Sequence, residues 1–165
     1  MKPLFLIVHH SVTPQNQGLV DAITGINTTH KNRLFPLSTL GFYVGYHYVI
    51  GEGWVKQTRN QDEVGAHCND DGMNFKSIGV CVIGNFEVDT PSEYQIEELK
   101  KLLIGLRAQW SIPEENVIRH GDVLGAQTLC CGKNLSKEKI KALWGAPPID
   151  KERIKQEIIA LLNKL

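Results

Sequence analysis

The chain has no excess of charge of either sign. Lys+Arg and Asp+Glu are both 18, for a formal net charge of +0. Such a balance supplies no field to draw nucleic acid or an anionic membrane surface, so neither is expected as a partner. Long apolar runs are also missing. The opening stretch Leu4-Phe-Leu-Ile-Val8 is too short for a secretory signal, and His9-His10 stand where a small-residue cleavage site belongs. Nothing elsewhere is long enough to span a bilayer. The expectation is a protein made in the cytoplasm, with no signal peptide or transmembrane segment of its own. Cysteine is sparse and irregular. Cys68, Cys81, Cys130 and Cys131 do not form the spacing of a secreted disulfide framework, and the adjacent pair is poorly placed to bridge itself. Internal repeats, low-complexity tracts and flexible linkers are absent too.

What remains is an ordinary globular composition. At 165 residues, 42% hydrophobic and 22% charged, the chain is expected to form one domain around a genuine core. Leu4–His9 reads as a buried strand and Leu19–Arg33 as a helix interrupted by Gly25. Phe42–Ile50 reads as a strand that Gly51-Glu-Gly53 turns back into Trp54–Thr58, because glycines supply the positive φ of a tight turn. Ser77–Ile83 is a second buried strand, with Cys81 as a small core thiol. Pro91-Ser-Glu opens an amphipathic helix to Trp110 with a stripe of Ile96, Leu99, Leu102, Leu103 and Leu106. A short strand Val117–Arg119, a helix Ser136–Trp144 and a last helix Asp150–Leu165 follow. This order predicts an α/β fold: a single domain with a central mixed β-sheet flanked by α-helices. Its catalytic part is expected over 1–146, with the C-terminal helix, 147–165, packed on the same domain.

The chemistry concentrates in His120-Gly-Asp-Val-Leu-Gly-Ala-Gln-Thr-Leu-Cys130-Cys131-Gly132. An imidazole and a thiol lie there a short loop apart, and His9 ends the first strand far away in sequence. Two imidazoles and one thiolate suit a three-ligand zinc site with one position open to water, the arrangement of a metallohydrolase. A closed structural zinc site, with Cys131 or Cys68 as fourth ligand, is the alternative. Neighbours on a strand point to opposite faces, so His9 and His10 cannot both face one metal. His47 adjoins Tyr46 and reads as a core residue. His30, at the end of the first helix, reads as a surface or capping residue. Asp122 either orients an imidazole or turns the chain. Trp54, Trp110 and Trp144 read as core.

Five passages, in order, give the chain a resemblance to a known family: Ile7-Val-His9-His-Ser11; His30-Lys-Asn-Arg33; Gly45-Tyr46-His47-Tyr48-Val-Ile50; Val64-Gly-Ala-His67 with Ser77–Asn85; and Arg119-His120-Gly-Asp122 through Thr128-Leu-Cys130-Cys131-Gly132. The chain resembles the zinc-dependent N-acetylmuramoyl-L-alanine amidases of the phage-lysozyme and peptidoglycan-recognition type. The resemblance implies their fold, a zinc ion held by His9, His120 and Cys130, and hydrolysis of the amide joining N-acetylmuramic acid to L-alanine in peptidoglycan. It makes Tyr46 and Thr128 catalytic, Tyr46 beside the water and Thr128 near the scissile carbonyl. His67 and Asn85 become the substrate-binding candidates, although His67 could equally be structural. The family's Pro-Gly after the cysteine is Cys131-Gly132 here, so a slip of one residue would make Cys131 the ligand. A monomer acting on peptidoglycan or muropeptide is expected, at the cell wall if released as an endolysin or effector. A non-catalytic peptidoglycan-binding module of the same fold is the alternative.

Overall fold

The structure, a computed structural model, describes residues 1–144. The expected last helix and the boundary at 146 lie outside the described residues. Five strands form one sheet: β1 (Phe5–His10), β2 (Tyr48–Gly51), β3 (Trp54–Gln57), β4 (Ser77–Val82) and β5 (Val117–Arg119), in the order β3-β2-β4-β1-β5. β1 runs parallel to both β4 and β5, β2 runs parallel to β4, and only β3 is antiparallel to its neighbour. This is a mixed sheet in a single α/β domain. Central β1 and β4 are buried along nearly their whole length, and mostly apolar, because both of their faces are covered.

Among the described residues three helices flank the sheet: α1 (Leu19–Asn32), α2 (Glu93–Trp110) and α3 (Lys137–Ala142). The two-residue period of the strands divides the core. Leu6 and Val8 of β1, with Ile78, Val80 and Val82 of β4, pack with Leu99, Leu103 and Leu106 of α2 and Ile140 of α3. Val49 and Cys81 meet Ala22 and Ile23 of α1, while Ile7 packs with Cys68, Met73 and Val123. His9, two residues after Ile7, therefore projects toward the α1 side of the sheet. The start of α2 is fixed by a capping box, in which the Ser92 hydroxyl accepts from the Gln95 N–H and the Gln95 side chain accepts from the Ser92 N–H. Gln95 is itself fully buried and its amide donates to the Ile83 carbonyl at 2.7 Å, tying α2 to the end of β4.

One element is shorter than its composition suggests. The aromatic and β-branched run from Phe42 becomes strand only at Tyr48. Side chains satisfy the backbone before that point: Tyr43 N–H donates to Asn27 Oδ1, Gly45 N–H to His30 Nδ1, and Arg59 donates to the Val44 carbonyl. These bonds replace a ladder. The segment carrying Tyr46 is thus strapped mainly to α1 and to the loop after β3, and it reaches β4 only at His47, whose N–H donates to the Gly79 carbonyl.

Gly132 illustrates the tolerance of the loop that follows β5. It sits at φ +85°, and an added Cβ would come within 2.6 Å of the Phe86 carbonyl oxygen. Backbone of this kind is close to glycine-only. Gly132→Ala should therefore lose more than about 1–3 kcal/mol of stability. Thermal unfolding followed by circular dichroism should show a clear fall in Tm, and an unchanged Tm would contradict this packing.

Candidate metal and active site

His9 is 1% exposed, and its Nε2 lies 3.0 Å from Nδ1 of His67. His67 can lie against the sheet because its neighbours have no side chains: a Cβ on Gly79 or on Gly65 would come within 2.5 Å of its ring. If His9 Nε2–H donates to His67, the tautomer is settled and the Nδ1 lone pair of His9 is free to bind a metal. That Nδ1 lies 3.8 Å from the sulfur of Cys130. His67 Nε2 is buried without a hydrogen-bond partner. His67 accordingly stands behind His9 as its support, as well as touching the cleft described below.

The second half of the site is a backbone clamp. β5 ends at Arg119, and a single 3₁₀ turn (His120–Asp122) follows. The Arg119 guanidinium grips the Asp122 carboxylate with two hydrogen bonds, at 3.0 and 2.7 Å. Asp122 thus holds the turn and does not touch an imidazole. Gly121 N–H donates to the Cys130 carbonyl at 2.6 Å, and a Cβ at Gly121 would meet both that carbonyl and the one of Thr128 at 2.7 Å. Glycine is what lets the two loops press together. Cys130 N–H donates to Thr128 Oγ1 at 3.2 Å, and His10 N–H donates to the Cys130 sulfur at 3.4 Å. The Cys130–Cys131 peptide is cis. Cys131 is fully buried and donates to the Val8 carbonyl at 3.2 Å. The sulfur facing His9 is therefore that of Cys130.

The His9 and His120 rings lie 4.7 Å apart, and ligand atoms of His9, His120 and Cys130 all fall within 4.8 Å of one another. Zinc bonds of about 2.0–2.3 Å imply ligand atoms roughly 3.3–3.8 Å apart in a tetrahedron. A small contraction brings the three donors to that spacing, and their chemistry of two imidazoles and one thiol is that of zinc. The residues fit the ion.

Electrostatics agree with that donor set. The Cys130 thiol is held well below its ordinary range, first by the neighbouring Cys131 thiol and then, against burial, by the imidazoles of His120 and His9. Burial works against protonation of His120, but hydrogen bonds to Cys130 and Cys68 dominate and push it up to about 10. Burial keeps His9 neutral. Burial also raises the Tyr46 phenol well above its ordinary value, with Cys81 and Cys130 adding to the effect, so it remains a proton donor.

These groups line a cleft of about 590 Å³, with Tyr46, His67 and the exposed Thr128 at its walls. The Tyr46 ring is 5.0 Å from that of His9. Asn85 lies elsewhere, in the turn after β4, where its Oδ1 accepts from the Glu87 N–H. His10 is structural: its Nδ1 accepts from the Phe86 N–H. His47 is fully buried between the Gly79 N–H and the Glu63 carbonyl. His30 corrects the expectation of a surface residue. It is 7% exposed, its ring lies 5.5 Å from that of Tyr46, and it reaches the cleft. Its position near the end of α1 conceals this, because only the approach of Gly45 encloses it. Trp110 donates to Gln61, and Trp54 packs with the α1 cluster. Cys68 and Asp70, which have no catalytic role in the sequence reading, also line the cleft.

The site is a His, His and Cys cluster, His9 coming from β1 near the centre of a mixed sheet and His120 and Cys130 from the loops after β5. The chain belongs to the N-acetylmuramoyl-L-alanine amidase family, whose pattern it matches over residues 1–133. It is 33% identical over 127 residues to the endolysin of Enterobacteria phage T3, covering 72% of this chain and 74% of that protein. The N-acetylmuramoyl-L-alanine amidase LysC from Clostridium intestinale superposes with a TM-score of 0.70 at 30% identity, covering 86% of this chain and 84% of the other. The recognition protein PGRP-SA of Apis mellifera superposes with a TM-score of 0.69 at 26% identity, covering 84% and 81%. The chain spans only 22% to 54% of the length of three further curated relatives.

Substitutions separate the two cysteines. Cys130→Ser should weaken zinc binding by more than about 100-fold, beyond the roughly 10–100-fold cost of losing a residue that only supports a ligand. His67→Ala should fall within that range, and Cys131→Ser should lose no more than about tenfold. Competition against a chromogenic chelator measures all three, and the reverse order for the cysteines would place the ligand at 131.

Acid should also loosen the fold around the site. Burial lowers both His30 and His47 to about 4 from an ordinary 6.5. Protonation therefore favours the unfolded chain. Their contribution is intact above pH 6.5 and is lost as pH falls through 4, by up to about 3 kcal/mol each. Chemical denaturation at pH 7, 5.5 and 4.5 should show this loss, and His47→Gln should flatten it.

Proposed function

We propose that this chain is a zinc-dependent N-acetylmuramoyl-L-alanine amidase, hydrolysing the amide between the lactyl group of N-acetylmuramic acid and L-alanine. One observation carries the reading: His9, His120 and Cys130 converge at a cleft also lined by Tyr46 and Thr128. Family membership supports the substrate class, since the T3 relative is an endolysin and LysC is an N-acetylmuramoyl-L-alanine amidase. Bound by those three residues, zinc would supply a Lewis acid that acidifies water and polarises a carbonyl oxygen.

The remaining chemistry belongs to the side chains. His67 holds His9 in the tautomer that offers Nδ1. Tyr46, kept protonated by burial, positions the attacking water and passes a proton toward the leaving amine. Thr128 uses its Oγ1 lone pair on the Cys130 N–H, which leaves its O–H to donate to the carbonyl oxygen as negative charge develops. It brings no full charge, so less of the stabilisation comes from this position than a lysine would give. The partner is peptidoglycan or a soluble muropeptide, and the place of action is the cell wall when the enzyme reaches it. Among the described residues no helix is long and apolar enough to cross a membrane.

The test is release of new L-alanine amino termini from purified peptidoglycan, without new reducing sugar ends. Release should stop with a chelator and return with zinc, and Tyr46→Phe should lower kcat by about 10²–10⁴. A protein that holds its zinc, binds muropeptide and releases nothing would be a recognition module.

A further inference from the structure

The cleft holds a second set of side chains of metal-ligand type, two of which the proposed hydrolysis does not use. Cys68, Asp70 and His120 each offer a ligand atom, and these atoms all lie within 4.8 Å of one another. The loop carrying the first two is built in place: Asn74 Oδ1 accepts from the N–H groups of both His67 and Cys68, at 2.8 and 2.9 Å. Cys68 is 2% exposed and forms the inner end of the set. The Asp70 side chain is 39% exposed at its mouth, with one oxygen 3.7 Å from His120 Nε2. An ion can therefore enter from the carboxylate side and reach the sulfur. Thiolate, imidazole and carboxylate are all ordinary zinc donors, at nearly the same bond lengths as those of the inner site.

We propose that Cys68, Asp70 and His120 form a second seat for a soft divalent cation, zinc or cadmium, which shares the His120 ring with the first seat. Nε2 of His120 serves the outer ion and Nδ1 the inner one. Loading the outer seat releases the Cys68 thiol proton and the remaining ring proton of His120 to solvent. This seat binds more weakly than the inner one, because it is less enclosed and draws on a ring already engaged. The outer ion stands inside the cleft that substrate must enter, and there it obstructs access to the inner ion. The single-zinc enzyme is accordingly the active form, and excess zinc inhibits it. This regulation rests on the amidase reading of the inner seat.

The experiment takes chelator-stripped full-length protein, dialyses it against rising zinc and counts bound metal by mass spectrometry. A parallel cobalt titration follows the thiolate-to-metal absorption. Wild type should bind two equivalents, the second more weakly, with the thiolate band growing again between one and two. Cys68→Ser and Asp70→Asn should each stop at one equivalent, and excess zinc should inhibit wild type at least tenfold more than either variant. Asp70→Asn alters a half-exposed carboxylate, so it keeps the test usable if Cys68→Ser fails to fold. Saturation of wild type at one equivalent, all of it lost in Cys130→Ser, would overturn the second seat and leave the amidase reading standing. One equivalent weakened by both Cys68→Ser and Cys130→Ser would also overturn it, by showing one ion divided between seats. One equivalent that survives Cys130→Ser and is lost in Cys68→Ser would instead sink the inner seat and the amidase reading with it.

Discussion

His9 can serve as a fixed point because β1 is hydrogen-bonded on both sides, to β4 and to β5. A strand so placed cannot slide by one residue without turning its whole apolar set to the wrong face. The register that buries Leu6 and Val8 toward α2 is therefore the register that aims Ile7 and His9 the other way. Everything else in the site is brought to this imidazole. Two glycines clear the space for the ring of His67 behind it, the segment after α1 carries Tyr46 over it, and the clamp between Gly121 and Cys130 delivers two further donors. The sheet supplies rigidity, and the loops supply chemistry, as is usual where function sits at strand ends.

Burial sets the charge state of these groups as strongly as contact does. His9, His30, His47 and His67 are all driven toward the neutral form by loss of water, which is the form that can donate a lone pair. His120 differs because it is less enclosed and lies between the sulfurs of Cys130 and Cys68. One thiolate and one imidazolium in the same pocket compensate each other in the free protein. On the zinc-amidase reading proposed above, a cation bound by these residues would take the place of the proton on His120 and lie beside the Cys130 sulfur.

Much of this was readable from the residues, and the exceptions have physical reasons. The strands Phe5–His10, Ser77–Val82 and Val117–Arg119, and the helices from Leu19 and Glu93, lie where periodicity and capping residues predict, because each makes its own local signal. Phe42–His47 misled because strand-like composition does not reveal that Asn27, His30 and Arg59 will claim its backbone. Those bonds join residues 15 or 16 positions apart, beyond the reach of a local pattern of strand or helix periodicity. The contact of His9 with His67, made possible by Gly65 and Gly79, and the turning of the Cys130 sulfur toward His9 while Cys131 donates to the Val8 carbonyl, are likewise tertiary facts. Asn85 stood beside matching residues in the chain, yet the turn after β4 carries it away from the cleft.

The sheet order also bears on how such a molecule matures. β1 pairs with β4 and then β5, and the inner donors come from positions 9, 120 and 130, so the opening strand must wait for partners made much later. Long-range parallel pairing is slow, and unpaired strands are sticky in the interval. On a ribosome β1 emerges well before residues 120 and 130 exist, so the cluster of His9, His120 and Cys130 can assemble only late in biogenesis. A nascent chain ending before Cys130 would lack one of the three side chains that the proposed zinc site needs.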